Sequence, residues 1–227
     1  MIYEDLIKQY EKLKEEEKNA LLVYKSRLGR AINSLDNNPL EIKEIYEQYK
    51  MLLNDPKNIF MKFTVFKDIS FENLEAFKSS LLKTKEIVKE ASTKIILPED
   101  VTTYRAFSIS KEDELSTLSR TDLISTSLNI NECSKYLIPN KGYTHYLYQI
   151  NLEKDSIVTI CPYRILIDNN GRLTLTKENN SEEIIISKDN YDFDSVIETT
   201  TELNAKEELN IISINTISKE KDTKSKR

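Results

Sequence analysis

The chain has 227 residues, 39% of them hydrophobic and 31% charged, and a formal net charge of −5. That is long enough to bury a sizeable core, in one domain or in a small domain with a helical cap. The acidic balance argues against a general binder of nucleic acid or anionic membrane, and no apolar run approaches the roughly 20 residues that a membrane span needs.

Residues 2 to 35 carry Ile2, Leu6, Tyr10, Leu13, Leu21, Tyr24, Leu28, Ile32 and Leu35 at helical intervals, which predicts one or two amphipathic helices. The charged run Lys12 to Lys18 reads as their solvated face. Asn37-Asn38-Pro39 should end this unit, because proline disfavours helical geometry in the residue before it. A second helix is expected over Leu40–Leu53, with Ile42, Ile45, Tyr46, Tyr49 and Leu52 on one side, then a looser apolar segment, Ile59–Phe66. Ser70 is the expected N-cap of a third helix, Phe71 to about Ala91, with Leu74, Phe77, Leu81 and Val88 facing the core.

After Pro98 the texture changes to segments rich in Ile, Val, Thr and Tyr. Strands are predicted at Thr102–Ile109, Asp122–Leu128, His145–Leu152, Ser156–Ile160, Arg164–Ile167, Arg172–Thr176, Glu183–Ser187, Asp192–Glu198 and Leu209–Ile217. Asp168-Asn169-Asn170-Gly171 signals a hairpin turn between two of them. Helices followed by strands imply an α+β fold rather than a parallel α/β sheet. The expected organisation is a single domain over 1–218, helical to about residue 97 and β-rich beyond, with a disordered polar tail at 219–227. Gly29, Gly142 and Gly171 are too scattered for a phosphate loop or a dinucleotide fingerprint. Cys133 and Cys161 show no metal spacing and are expected as free, packed thiols.

Three polar residues sit at strand-like segments in a fixed order: Arg105 after Tyr104, Ser125 in Ser125-Thr126-Ser127, and Glu183 before Ile184-Ile185-Ile186. Singly, each reads as an edge arginine, a turn serine or a solvated strand end. In this order they resemble the arginine–serine–glutamate class of bacterial mono-ADP-ribosyltransferase exotoxins. The resemblance extends along the chain. Tyr24, Ile32-Asn33 and Leu35 match a helix motif of that class, Leu97-Pro98-Glu99-Asp100 its proline loop, and Cys133 and Tyr136 a helix after the serine strand. Two positions depart from the pattern. Ala106 replaces a glycine after the arginine, and Ser181 stands where arginine-modifying members carry glutamate and others glutamine, so the acceptor residue stays open.

The resemblance implies an ADP-ribosyltransferase fold, with helices packed on a split, mainly antiparallel β core and NAD as co-substrate between the sheets, with no metal. It implies transfer of ADP-ribose to a protein acceptor with release of nicotinamide, as a toxin or effector. Glu183 would stabilise charge developing on the ribose, Arg105 would fork hydrogen bonds to the pyrophosphate, and Ser125 would hold the Glu183 rotamer. Ala106 would let the backbone approach NAD, and Ser181, with Lys177 to Asn180, would meet the acceptor. Strand alternation turns Thr126 away from Ser125, and Glu182 away from Glu183. Tyr136 would offer a ring to the nicotinamide or serve as an ordinary core tyrosine. With no basic stretch leading into an apolar one after Met1, a secretory signal is not expected; the chain would act in its producer's cytoplasm or arrive elsewhere as a mature toxin, through a separate delivery component. Three alternatives remain open: an NAD glycohydrolase of the same fold, an inactive NAD-binding module, and a thiol nucleophile pairing His145 with Cys133 or Cys161.

Overall fold

The computed structural model describes residues 2–54, 64–110, 123–137, 143–167, 173–177, 182–187, 191–204 and 207–218. The N-terminal periodicity divides into three helices rather than one or two: α1 (Ile2–Tyr10), α2 (Glu15–Lys25) and α3 (Leu28–Asn33). The first break lies inside the Lys12–Lys18 run. Leu13 turns into the core there, and the Lys14 amide donates to the Glu17 carboxylate at 2.9 Å, giving one N–H at the start of α2 a partner. Glu17 is itself buried and paired with Lys94.

Gly29 lets α3 start almost directly after α2. A Cβ here would lie 1.9 Å from the Tyr24 carbonyl oxygen, an approach that only glycine permits. Gly29→Ala is expected to cost about 1–3 kcal/mol through overpacking, seen as a melting temperature lower by roughly 2–12 °C. Melting within a degree of wild type would mean that α3 shifts freely.

The next helices are α4 (Pro39–Asn54) and α5 (Leu74–Ala91). α4 buries Ile42, Ile45, Tyr46 and Tyr49, whereas Leu52 is exposed. A 3₁₀ turn follows at Thr64–Phe66; the earlier part of that apolar segment lies outside the described residues. The cap of α5 is Asn73, not Ser70: Asn73 Oδ1 accepts the Ala76 amide at 2.9 Å. Both residue types cap well, and packing decides between them. Phe71 stacks on Tyr49 and leans on Phe77, with ring centroids 5.8 and 5.3 Å away, before the helix begins.

The β half consists of β1 (Ile95–Ile96), β2 (Val101–Ser110), β3 (Leu123–Ser127), β4 (Tyr143–Leu152), β5 (Ile157–Val158), β6 (Tyr163–Ile167), β7 (Leu173–Lys177), β8 (Glu183–Ser187), β9 (Tyr191–Asn204) and β10 (Glu207–Ser218), with the short helix α6 (Ile130–Ser134) after β3. Six strands form one sheet in the order β8-β3-β2-β4-β10-β9, and β1-β5 and β6-β7 form two small ones. Only the β10–β4 pairing is parallel among those described. A bridge between Thr159 and Ile185 joins the end of β5 to β8, so the β half is split and mainly antiparallel. The Asp168–Gly171 turn and the 219–227 tail lie outside the described residues, although β6 and β7 pair antiparallel on either side of that turn.

One core joins the halves. Leu6, Leu21 and Phe77 of the helices belong to the same buried cluster as Ile124, Ile150, Ile185 and Ile214 of the strands. Ile184, Ile185 and Ile186 are all fully buried. β8 is therefore covered on both faces, which fits its unbroken apolar run. Among the described residues no helix is long and apolar enough to cross a membrane.

Candidate active site

β2, β3 and β8 are neighbours in the six-stranded sheet, and they carry Arg105, Ser125 and Glu183 respectively. The β3–β8 register sets Ser125 opposite Ile185 and Ser127 opposite Glu183, so Ser125 and Glu183 are diagonal neighbours on one face. The Ser125 hydroxyl donates to Glu183 Oε1. Arg105 Nη1 donates to the Ser125 carbonyl at 3.2 Å. Three residues spread over nearly eighty positions thus meet across three neighbouring strands, where β8 begins.

Glu183 opens β8 directly after Glu182, whose φ of +40° lies in the left-handed region. A non-glycine residue there costs roughly 1–2 kcal/mol, and such strain gathers where a side chain must be aimed. The Glu182 carbonyl accepts the Leu128 amide at 3.1 Å, so the turn is pinned to the end of β3.

The helical half supplies the rest of the site. Tyr24 Oη donates to the Leu123 carbonyl at 3.2 Å and accepts from Asn33 Nδ2 at 3.2 Å, which ties α2 and α3 to β3. Burial pushes the Tyr24 phenol up to about 12, the Asn33 hydrogen bond and the Arg105 charge pull it back, and the Glu183 charge adds to the rise. The next residue, Lys25, has its ammonium 3.1 Å from Glu183 Oε2 and donates to the Cys161 carbonyl at 2.7 Å. Glu183 Oε2 is buried, and among the described residues its partner is the Lys25 ammonium, as an ion pair. Lys25 was not legible as a site residue, because it sits one place after a motif tyrosine and its partner lies at the other end of the chain.

Tyr24 has a consequence for pH. A phenol whose folded pKa lies above its unfolded value of about 10 contributes stability that is complete below that value and is lost as pH climbs through 10 to 12. Tyr10 and Tyr49 are raised mainly by burial, and Tyr163 first by its hydrogen bond to Glu11. The melting temperature is expected to drop steadily above about pH 10. A drop already complete by pH 9 would contradict that assignment.

The other candidate residues are placed as follows. Thr126 is buried on the opposite face, with its hydroxyl donating to the Ile184 carbonyl at 2.9 Å. Ser127 Oγ accepts the Asn129 amide at 2.9 Å, ahead of α6. Ala106 is buried in a small cluster with Cys133, Leu147 and Leu209, so a ligand would meet its backbone and not its methyl group. Tyr136 follows α6 and is 68% exposed, which corrects its reading as a core tyrosine. Ser181 and residues 178–180 lie outside the described residues.

Both cysteines are free and buried. Burial pushes the Cys133 thiol up against the lowering effect of the Ala106 and Ser127 backbone, and the thiol donates to the Tyr104 carbonyl at 3.1 Å. A thiol held protonated is a poor nucleophile. Cys161 donates to the Tyr163 carbonyl, and His145 Nδ1 pairs with Ser108 at 2.8 Å. Surface hollows of about 520 Å³ beside Lys83 and Glu90 and about 300 Å³ beside Asp100 and Asn215 do not include the three site residues. The hydrogen-bonded constellation locates the candidate site better than cavity size does. Among the described residues no cluster of His, Cys, Asp or Glu is arranged to hold a metal.

Plx2a, an ADP-ribosyltransferase toxin from Paenibacillus larvae, superposes on 95% of this chain and 92% of its own with a TM-score of 0.52 at 14% identity. This chain has the ADP-ribosyltransferase fold. Weaker likenesses are to the Vis toxin, an ADP-ribosyltransferase from Vibrio splendidus (TM-score 0.45, 13% identity, 92% of this chain and 76% of that one), and to C2-I, the enzymatic component of the C2 toxin from Clostridium botulinum (0.47, 16%, 96% and 46%). No family model matches the sequence, and no curated protein does. In this ADP-ribosyltransferase fold the Arg105–Ser125–Glu183 constellation lies on adjacent strands of the main sheet, with α2 closing over it from the helical side.

Proposed function

We propose that the chain is an NAD-dependent mono-ADP-ribosyltransferase that transfers ADP-ribose to a protein and releases nicotinamide, as a toxin or effector. The observation that carries this reading is the half-buried Glu183 carboxylate, oriented by Ser125. Ser125 donates to one of its oxygens and the Lys25 ammonium pairs with the other, so the charge is held in place while the carboxylate's remaining lone pairs can accept a ligand hydroxyl. A serine-oriented carboxylate with an arginine two strands away fits a ribose beside a pyrophosphate.

NAD supplies an activated glycosidic bond, whose ribose carbon gains positive charge as nicotinamide departs. Glu183 contributes fixed negative charge and accepts a hydrogen bond. Ser125 holds the rotamer of that carboxylate. Arg105, held at the β2–β3 junction, presents the remaining donors of its guanidinium to the pyrophosphate; a fork of that kind suits phosphate oxygens. Tyr136, exposed after α6, offers an aromatic face to a cationic ring. Ser181, two residues before Glu183, is our choice for the acceptor side, and it leaves the acceptor residue type open.

The test uses NAD labelled in its ADP-ribose half, incubated with the chain and a cell lysate. Label is expected on lysate protein. Label recovered only as free ADP-ribose would replace the transferase by the glycohydrolase reading, which the same carboxylate supports.

A further inference from the structure

Lys25 is neither part of the arginine–serine–glutamate constellation nor explained by packing alone. It is the last residue of α2, its side chain is 14% exposed, and its ammonium lies 3.1 Å from a carboxylate that is itself 17% exposed. A lysine this covered gives up hydration of a strongly hydrated group, so its charge has to be met inside the protein. The Cys161 carbonyl at 2.7 Å and Glu183 Oε2 meet it.

We infer that Lys25 is a positioning residue for Glu183, clamping the carboxylate from the helical half while Ser125 holds it from the sheet. This rests on the transferase reading and deepens it. Glu183 opens its strand immediately after a left-handed turn pinned to β3, so its backbone is placed, but a glutamate still has three side-chain torsions to fix. Ser125 alone fixes one oxygen and leaves the carboxylate free to swivel about it. Lys25 supplies a second anchor at the other oxygen, and its own position is set by the Cys161 carbonyl and by Tyr24, the preceding residue, bound to the β3 backbone. Two anchors from different elements define the plane of the carboxylate. The clamp also keeps α2 and β8 in register, so a shift of the helical half would be felt at the carboxylate.

The arrangement has an opposing side. An ammonium beside Glu183 weakens the field that a developing cation would feel, so removing it could speed the reaction if orientation did not matter. Near-attack geometry decides between these effects, since small misplacements of a reacting group cost up to about a hundredfold. The clamp predicts that orientation wins.

The experiment compares nicotinamide release by wild type, Lys25→Met and Lys25→Arg over a range of NAD concentrations. Melting temperatures are taken in parallel for Lys25→Met, Glu183→Gln and the double variant. Lys25→Met is expected to lose about tenfold or more in kcat with KM for NAD changed less than twofold, and Lys25→Arg to recover most of it, because the charge and a donor return. The melting losses of the two single variants are expected not to add in the double variant, as for groups that touch. Lys25→Met as fast as wild type or faster overturns the clamp and leaves the transferase reading standing. Strictly additive melting losses overturn the pairing itself. A wild-type chain that cleaves no NAD overturns the transferase reading and the clamp with it, whatever the melting temperatures show.

Discussion

With Glu183 replaced by glutamine, nicotinamide release from NAD is expected to fall by about 10²–10³-fold, or roughly 3–4 kcal/mol of lost transition-state stabilisation. Glutamine keeps the shape of the side chain and leaves an oxygen for the Ser125 hydroxyl that now donates to Glu183. What it removes is the charge. A charge that matters only as the ribose becomes cationic should be missed in kcat and hardly in KM. Because Lys25 loses its anionic partner in this variant, the melting temperature has to be measured beside the rate, so that unfolding is not read as lost chemistry. A folded variant that retains a third or more of wild-type kcat would show that the carboxylate does not carry the step.

Arg105→Ala should act on the other side of NAD. We expect about a hundredfold loss of NAD affinity, near 3 kcal/mol, within the 2–5 kcal/mol typical when one partner of a hydrogen-bonded charge pair is removed from an interface. Arg105→Lys should recover part of the loss, because the charge returns while the fork does not. Arg105 also bonds the Ser125 carbonyl, so some of the effect in the alanine variant will come through a looser β2–β3 junction. The two contributions separate by titration. Lost phosphate contact raises Kd for NAD and for ADP-ribose alike, whereas a loosened Ser125–Glu183 pair lowers kcat at saturating NAD. Unchanged Kd for both ligands would remove Arg105 from the pyrophosphate.

Much of the β half was legible in the chain because its strands are marked by composition. β8 begins at Glu183, where the Ile184-Ile185-Ile186 run predicts it, and β2 and β4 lie within two residues of their predicted ends. β9 runs on to Asn204 through Thr199-Thr200-Thr201, whose β propensity outlasts the apolar pattern that suggested an end at Glu198. The helical half was harder. Nothing local marks the break between α1 and α2, since it depends on Leu13 turning inward and on Glu17 finding Lys94 from far along the chain. Ser70 and Asn73 are equally good caps by residue type, and Phe71 decides between them through ring contacts with Tyr49 and Phe77.

The site divides in the same way. Arg105, Ser125 and Glu183 could be singled out because each sits at a marked strand, and their order carried the resemblance. Their meeting across β2, β3 and β8 follows from the strand order, which the chain does not spell out. Lys25 was hidden for a physical reason: a lysine at a helix end reads as a solvated charge complementing the helix dipole, and only the tertiary fold, which brings the end of α2 to the start of β8, sets it beside a carboxylate. Tyr136 shows the reverse, since the sequence allows an ordinary core tyrosine there and the ring lies in solvent.

The most direct measurement is nicotinamide release from NAD by the purified chain, with and without cell lysate. Turnover above the spontaneous rate, reduced about a hundredfold or more in folded Glu183→Gln, is the result predicted here. Binding of NAD with no release under either condition would contradict it and make the chain a binding module on the same fold.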